Sequence, residues 1–279
     1  MKNNVIPSLW FKDNAMEAME YYSSIFPNSG VSVKNSTVVC ANLSGVEFMA
    51  LNGGTDKFKP NPSISFMVVC EKKEEINHLW NELKSDGKVY MELDRYPWSD
   101  YYGWIGDKYR NTWQLYMGSL DDVNNQKIVP TLMFSHIHQG KCEEAIAFYE
   151  SLFPDFKSYG IMRYLEGEFE GQIMHSQFKI NDFVLAAMDS GVKQSFTFNK
   201  AISLTIQCKN QQEINYYWNK ITENGRELQC GWCQDEYGVF WQVVPYNMEN
   251  LVVNSPNAKR AFEALMKMNK IEIKELENA

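Results

Sequence analysis

Glu17-Ala18-Met19-Glu20-Tyr21-Tyr22-Ser23-Ser24-Ile25-Phe26-Pro27 returns in the second half of the chain as Glu144-Ala145-Ile146-Ala147-Phe148-Tyr149-Glu150-Ser151-Leu152-Phe153-Pro154. Six of the eleven positions are identical. Working outward, Ile64-Ser65, Cys70, Glu75-Ile76-Asn77 and Trp80-Asn81 recur as Ile202-Ser203, Cys208, Glu213-Ile214-Asn215 and Trp218-Asn219. Gly103-Trp104, Asp107, Tyr109 and Trp113-Gln114 recur as Gly231-Trp232, Asp235, Tyr237 and Trp241-Gln242. The offset shortens between these two sets, so the second copy lacks about ten residues, the stretch around Leu93 to Asp100. So long a period is a domain duplication rather than a solenoid, whose repeats run to ~20–45 residues. The reading is a first domain over residues 1–120, a polar linker over 121–127, a second domain over 128–250, and a C-terminal helix and tail over 251–279.

Within each copy two helical patterns alternate with β-prone runs. Ala15, Met19, Tyr22 and Phe26 form one stripe, opened by Asn14 and Glu17 as a capping box and closed by Pro27. Ile76, Leu79, Trp80 and Leu83 form the next, stopped by Gly87; Ile214, Tyr217, Trp218 and Ile221 repeat it, stopped by Gly225. The runs from Val31 to Leu43, Glu47 to Asn52, Ile64 to Cys70 and Thr112 to Met117 read as strands. Each copy is therefore an α+β domain of two βαβββ-like units. A last helix is expected from Ser255-Pro256, and Lys270 to Lys274 alternates briefly like a strand.

The 279 residues are 44% hydrophobic and 22% charged, which suits a folded globular protein. With 27 basic against 35 acidic side chains and no basic cluster, a nucleic-acid partner is not expected. The opening Met1-Lys2-Asn3-Asn4 leads into no apolar leader, and no run reaches the ~18 residues of a membrane span. Six scattered cysteines need not form a disulfide scaffold. A cytoplasmic protein is the expectation.

Several of these residues resemble a known family. Pro7-Ser8-Leu9-Trp10-Phe11 followed by Glu17-Ala18, Tyr21-Tyr22 and Phe26-Pro27-Asn28-Ser29 looks like the opening of PhnB-like proteins. Phe48-Met49-Ala50-Leu51-Asn52-Gly53-Gly54, Tyr96-Pro97-Trp98, Trp113-Gln114-Leu115 and Trp241-Gln242-Val243-Val244-Pro245 fit the same pattern. These proteins carry the label 3-demethylubiquinone-9 3-methyltransferase-like and belong to the vicinal oxygen chelate superfamily, with glyoxalase I, bleomycin-resistance proteins and dioxygenases. The resemblance implies tandem glyoxalase-like domains, each of two paired βαβββ units around an open cavity. It also implies that one chain is its own pseudo-dimer, a monomer for which homodimerisation stays open.

Metal-dependent relatives place four ligands in that cavity. Aligned by flanking motifs, those positions are Pro7, Ala50, Ser63 and Gln114 in the first copy, and Pro130, Ala187, Ala201 and Gln242 in the second. Proline and alanine offer no ligating side chain, so no metal is expected there. His136-Ile137-His138 lies in a loop-like insertion without a nearby carboxylate and reads as solvated, although a metal there stays conceivable. Cys230-Gly231-Trp232-Cys233 has C-x-x-C spacing but precedes a strand turn rather than a helix, so strand residues are the reading. Gly53-Gly54 opens no helix, no G-x-G occurs, and the sequence calls for no cofactor.

Strand alternation in step with the aligned positions places Phe11, Phe48, Asn52, Ser65, Met67, Gln114 and Tyr116 inward, with Leu9 and Thr112. In the second copy it places Phe134, Asp189, Ser203, Phe240 and Gln242 inward, with Leu132, Leu185 and Thr205. Trp10, Trp113 and Trp241 fall out of step as core, while Trp104 and Trp232 are of open parity. The mixture suits a small apolar or aromatic ligand. A metal-independent binding protein is the expected function; an enzyme of the superfamily (the methyltransferase of the label, or a lyase or isomerase) is the alternative. No catalytic set is recognisable, and only Asp189 could act as a base.

Overall fold

The computed structural model describes residues 5–279. Met1-Lys2-Asn3-Asn4, on which the reading of the amino terminus rests, lie outside the described residues. Four βαβββ modules follow one another. The first is β1 (Val5–Phe11), α1 (Ala15–Ile25), β2 (Gly30–Lys34), β3 (Val38–Leu43) and β4 (Val46–Asn52). The second is β5 (Ile64–Cys70), α2 (Lys73–Lys84), β6 (Lys88–Tyr96), β7 (Ser99–Gly106) and β8 (Thr112–Met117). The third is β9 (Ile128–Phe134), α3 (Cys142–Leu152), β10 (Lys157–Arg163), β11 (Ile173–Ile180) and β12 (Phe183–Asp189). The fourth is β13 (Ile202–Cys208), α4 (Gln211–Thr222), β14 (Arg226–Glu227), β15 (Trp232–Gln234) and β16 (Phe240–Pro245). The chain is α+β, as its repeat requires.

Two compact units divide the chain, one of Pro7–Ile202 and the other of Val5, Ile6 and Ser203–Ala279. The larger unit holds an eight-stranded sheet in the order β10-β11-β12-β9-β5-β8-β7-β6. Its seam is the antiparallel pair β5–β9, with Ser65 opposite Thr131 and Met67 opposite Val129. The seam thus joins the second module of one copy to the first module of the other. The same unit carries the order β1-β4-β3-β2, with β1 parallel to β4.

The aromatic core of this unit lies under α1. Trp113 is in ring contact with Tyr22, Phe26 and Phe66, and Phe66 with Phe48. All five rings are buried. Aromatic rings of this kind remove roughly 150–250 Å² each from water, about 4–6 kcal/mol gross apiece. Asp107 anchors the cluster: Tyr22 Oη and Trp113 Nε1 both donate to Oδ2, and the Tyr109 and Asn111 N–H groups to Oδ1.

The smaller unit pairs β13 with β16 in parallel and β16 with β15 antiparallel, in the order β14-β15-β16-β13. Trp241 Nε1 donates to Asp235 Oδ2 at 2.8 Å, repeating the anchor of the first copy. Gly87 and Gly225 follow their helices where the backbone approaches closely; the left-handed residue after α2 is Asp86, at φ 57°. A Cβ on Gly87 would lie 2.5 Å from Gly106 O, and one on Gly225 2.1 Å from Gln234 O.

Three local expectations are corrected. Asn14 makes no side-chain cap; Asn52 Oδ1, at the end of β4, accepts the Ala15 N–H instead at 2.9 Å. The last helices are α5 (Met248–Val252), α6 (Ala258–Leu265) and α7 (Ile273–Glu277), so the terminal helix begins after Ser255-Pro256. The alternating tail runs into α7, not a strand, and Leu276 and Ile271 bury.

Candidate functional site

The register of the eight-stranded sheet sorts its side chains onto two faces. Phe66, Trp113 and Gly103 lie on the helix-bearing face; a Cβ on Gly103 would meet the Trp80 ring of α2 at 2.6 Å. Ser65, Met67, Gln114 and Tyr116 lie on the other face, with Tyr102 and Trp104 beside them on β7 and Thr131 on β9. Ala186 and Met188 on β12 and, by alternation, Gln177 and His175 on β11 extend this face across the third module. One end is filled: Val123 and Leu120, from the 3₁₀ turn Leu120–Val123, pack with Met67, Val69, Val129, Val184 and Ala186.

Above that plug runs a polar chain. Tyr102 Oη donates to Gln114 Oε1 at 2.8 Å, and Gln114 Nε2 donates to Ser65 Oγ at 2.6 Å. Burial pushes the Tyr102 hydroxyl well above its ordinary range, so it stays a donor. Trp104 stands directly across from Gln114 in the register. Its Nε1 is buried with no hydrogen-bond partner. A buried indole N–H left unmade costs ~1–3 kcal/mol, so the site is poised for an acceptor. His175 has its pKa lowered by burial and is neutral at pH 7. Beyond Tyr116, an open recess of ≈ 660 Å³ is lined by Arg95, Tyr96, Trp98, Asp100, Tyr116 and Met117, among others; Trp104 and Gln114 are not part of its lining.

The structure gathers only part of the expected set. Ser65, Gln114 and Tyr116 come together on the helix-free face. Ser203, Phe240 and Gln242 share the corresponding face of the smaller unit, where Gln242 Nε2 donates to Ser203 Oγ at 2.9 Å. Phe11, Phe48, Phe134 and Asp189 lie on the opposite faces, under helices. Phe11 is in ring contact with Tyr109, itself against Tyr21 and Tyr22 of α1, and Phe48 with Phe66. Leu132 and Leu185 sit with Phe134 in the same sense, since Leu132 opposes Ile64. The aligned positions in the first and third modules are one residue out of step, and a shift of one reverses every side chain.

Asp189 therefore does not face a cavity as a base. Its Oδ1 accepts the Cys142 N–H at the start of α3 and its Oδ2 the Ile173 N–H, both at 3.1 Å. Burial raises its pKa while these backbone donors pull it down. It is the second copy's counterpart of the Asn52 cap. Trp10, in turn, lies across β1 from Phe11, and its Nε1 donates to Thr55 O at 3.0 Å.

Of the six aligned metal positions that lie within strands, Gln114 and Gln242 are the two on the helix-free faces. Pro130 and Ala187 share the face of Phe66, Ala50 that of Leu9 and, by alternation, Pro7. Ser63 and Ala201 precede their strands, their carbonyls accepting from Met133 and Trp10 N–H. What the register does bring together centrally is Ser65, Gln114, Thr131 and Ala186. That set of neutral oxygens and a methyl does not fit a first-row divalent metal. Among the described residues no group of three His, Cys, Asp or Glu side chains is placed to hold one. His136 and His138 lie in a 3₁₀ turn; burial, then His136, lowers the His138 pKa. Cys233 is buried in β15 with its thiol pushed far up, and Cys230 lies in the turn before it.

Sequence reasoning missed Tyr102 and Thr131, and left open whether His175, in its strand, and Trp104 face inward. The recurrence of Trp104 as Trp232 was the available signal. No helix of the described residues is long and apolar enough to cross a membrane.

Comparison with known proteins agrees with this architecture. The chain is similar to glyoxalase I from Zea mays, at 12% identity and TM-score 0.61 over 88% of this chain and 94% of that one. A PhnB protein from Bacillus cereus is 34% identical over 40% of this chain and 96% of its own, with TM-score 0.38. A protein from Staphylococcus aureus is 24% identical over 42% of this chain and 97% of its own, with TM-score 0.20. No curated protein matches the sequence significantly. The glyoxalase likeness establishes tandem glyoxalase-like folding and nothing about chemistry. The family profile described as 3-demethylubiquinone-9 3-methyltransferase matches twice, over residues 3–116 and 126–244. The chain belongs to that family and carries its pattern in tandem.

Proposed function

We propose that the chain binds a small, largely apolar or aromatic molecule bearing a hydrogen-bond acceptor, on the helix-free face around Gln114. The observation that carries this reading is the buried, unpartnered Trp104 Nε1 opposite the Tyr102–Gln114–Ser65 chain. Apolar walls with a few fixed polar groups are the usual make-up of a small-molecule site. An acceptor oxygen on the ligand satisfies the indole, while Met188 and the half-exposed Tyr116, which lines the neighbouring recess, receive its apolar body. The reading needs no metal.

The family description names a methyltransferase, which implies S-adenosylmethionine. The residues do not fit that group. Ser65, Tyr102, Trp104, Gln114, Thr131 and His175 offer no carboxylate to meet its sulfonium or ribose hydroxyls; of the acidic groups beside them, Asp100 is ion-paired with Arg95 at 3.3 Å and Asp94 accepts the Arg95 N–H at 2.7 Å. Gly53-Gly54 is not a cradle either, because a Cβ on Gly53 would fall 1.7 Å from the Trp10 ring that packs over it.

Acetylnaphthalene, a neutral aryl ketone, and ethylnaphthalene, which lacks the acceptor, test the reading by equilibrium dialysis. The ketone is expected to bind more tightly, and Trp104→Phe to erase the difference, about fivefold for one hydrogen bond of ~1 kcal/mol. Equal affinity of the two compounds for the unaltered protein would overturn it. A thermal shift produced by S-adenosylmethionine alone would replace it with methyl transfer.

A further inference from the structure

The two copies differ at this site, and the difference lies in the ten residues the second copy lacks. In the first copy β6 runs the length of β7, with Asp94 opposite Tyr102. In the second, β14 pairs with β15 only through Arg226–Gln234 and Glu227–Cys233. Cys230 and Gly231, the counterparts of Tyr102 and Gly103, are met instead by the C-terminal segment. Cys230 N–H donates to Met268 O and Gly231 N–H to Asn269 O, each at 2.8 Å.

Gln211, at the start of α4, clasps the same segment twice. Its Nε2 donates to Ile271 O at 2.9 Å, and its Oε1 accepts the Ile273 N–H at 2.8 Å. A Cβ placed on Gly231 would meet Ile271 Cγ1 at 3.1 Å and Val244 Cγ1 at 3.3 Å. Ile271 therefore lies by Val244, which alternates with Gln242 on the helix-free face of β16. Ile271 is fully buried, and so is the Ser203–Gln242 pair, at 0% and 4% exposed, whereas Gln114 is only half-buried.

We propose that the second copy holds a latent ligand site of the same kind, built on Ser203, Gln242 and Trp232 and closed by the chain's own C-terminal segment. The segment takes the backbone N–H groups of the Cys230–Gly231 turn, where the missing hairpin arm would have paired, and covers the face that arm would leave open. The intact chain then binds one ligand at Gln114, and displacement of the segment opens a second position for the same acceptor-bearing aromatic class. This rests on reading the Gln114 face as a ligand site.

The test uses the full chain and Ile271→Asp, with Gln211→Ala, which removes both clasps but no apolar surface, should Ile271→Asp fail to fold. Alkylation of Cys230 by iodoacetamide, followed on its peptide by mass, reports release, because its Sγ lies against Leu265 O at 3.6 Å and Met266 Sδ at 3.7 Å. Release is expected to speed alkylation at least about tenfold and to raise acetylnaphthalene stoichiometry from one to two. Adding Gln242→Ala should return it to one. Faster alkylation with stoichiometry still at one would overturn the proposal, as would alkylation of the unaltered chain at the rate of a free peptide. A chain that binds no probe until the segment is released, and then one that Gln242→Ala removes, would leave the latent site standing and defeat the Gln114 reading instead.

Discussion

Gln114 Nε2 donates to Ser65 Oγ at 2.6 Å across the parallel pair β5–β8, and Gln242 repeats the bond to Ser203 Oγ at 2.9 Å across β13–β16. The amide is held by its own sheet, with its carbonyl taken by Tyr102 in the first copy only. Gln114→Ala removes the centre of that chain and leaves Ser65 and Tyr102 without this partner. Acetylnaphthalene affinity should fall about tenfold, with stability lowered by about 1 kcal/mol. An unchanged affinity in dialysis would place the ligand elsewhere.

Asp189 is a cap, not a base. Asp189→Ala strands the Cys142 and Ile173 N–H groups, so it should cost about 2 kcal/mol in urea unfolding. Acetylnaphthalene binding should be untouched, because the side chain lies on the helix-bearing face. A loss of binding without a loss of stability would reverse that assignment.

Burial pushes Asp107 to about 6, its four donors holding it below where desolvation alone would place it. In the folded chain it therefore takes up a proton more readily than when unfolded. Between about pH 4 and pH 6 the folded state binds more protons, so this group makes stability fall as pH rises, by up to about 3 kcal/mol, and then level off. Asp189, shifted in the same direction, adds to the slope. Unfolding titrations should show a shallower slope in Asp107→Asn, at a lower overall stability. A slope unchanged by that substitution would remove Asp107 from the account.

Gly225→Ala would drive a methyl group against Gln234 O at 2.1 Å and Ile221 O at 2.4 Å. These are backbone atoms that cannot rotate away, so a loss of about 2–3 kcal/mol is expected, seen as a lower urea midpoint. A neutral result would mean that the α4–β14 turn can open.

The duplication and its α+β modules were legible because the helix stripes and the Trp-Gln pairs survive in both copies. Ser65, Gln114, Ser203 and Gln242 were legible because strand alternation counts correctly from a motif that sits in the strand itself. Phe11, Phe48, Phe134 and Asp189 were misplaced because the count in the first and third modules began one residue off, and in a strand that error reverses every side chain. The Asn52 and Asp189 caps act on helices 37 and 47 residues away, beyond any local signal such as the Asn14–Glu17 box. The parity of Trp104 is hidden by irregular pairing of β6 with β7 on both sides of Met91. That β5 takes β9 as its antiparallel neighbour is equally hidden, since similar copies offer similar strands.

On the proposed reading, the buried and unpartnered Trp104 indole N–H takes the acceptor of the ligand. That reading is tested most directly by the indole ¹⁵N–¹H correlations of the eight tryptophans, with the Trp104 signal assigned by its loss in Trp104→Phe. On addition of acetylnaphthalene that signal alone should move downfield by a hydrogen-bond shift, while ethylnaphthalene leaves it in place. Binding of the ketone with the Trp104 signal unmoved would contradict the account.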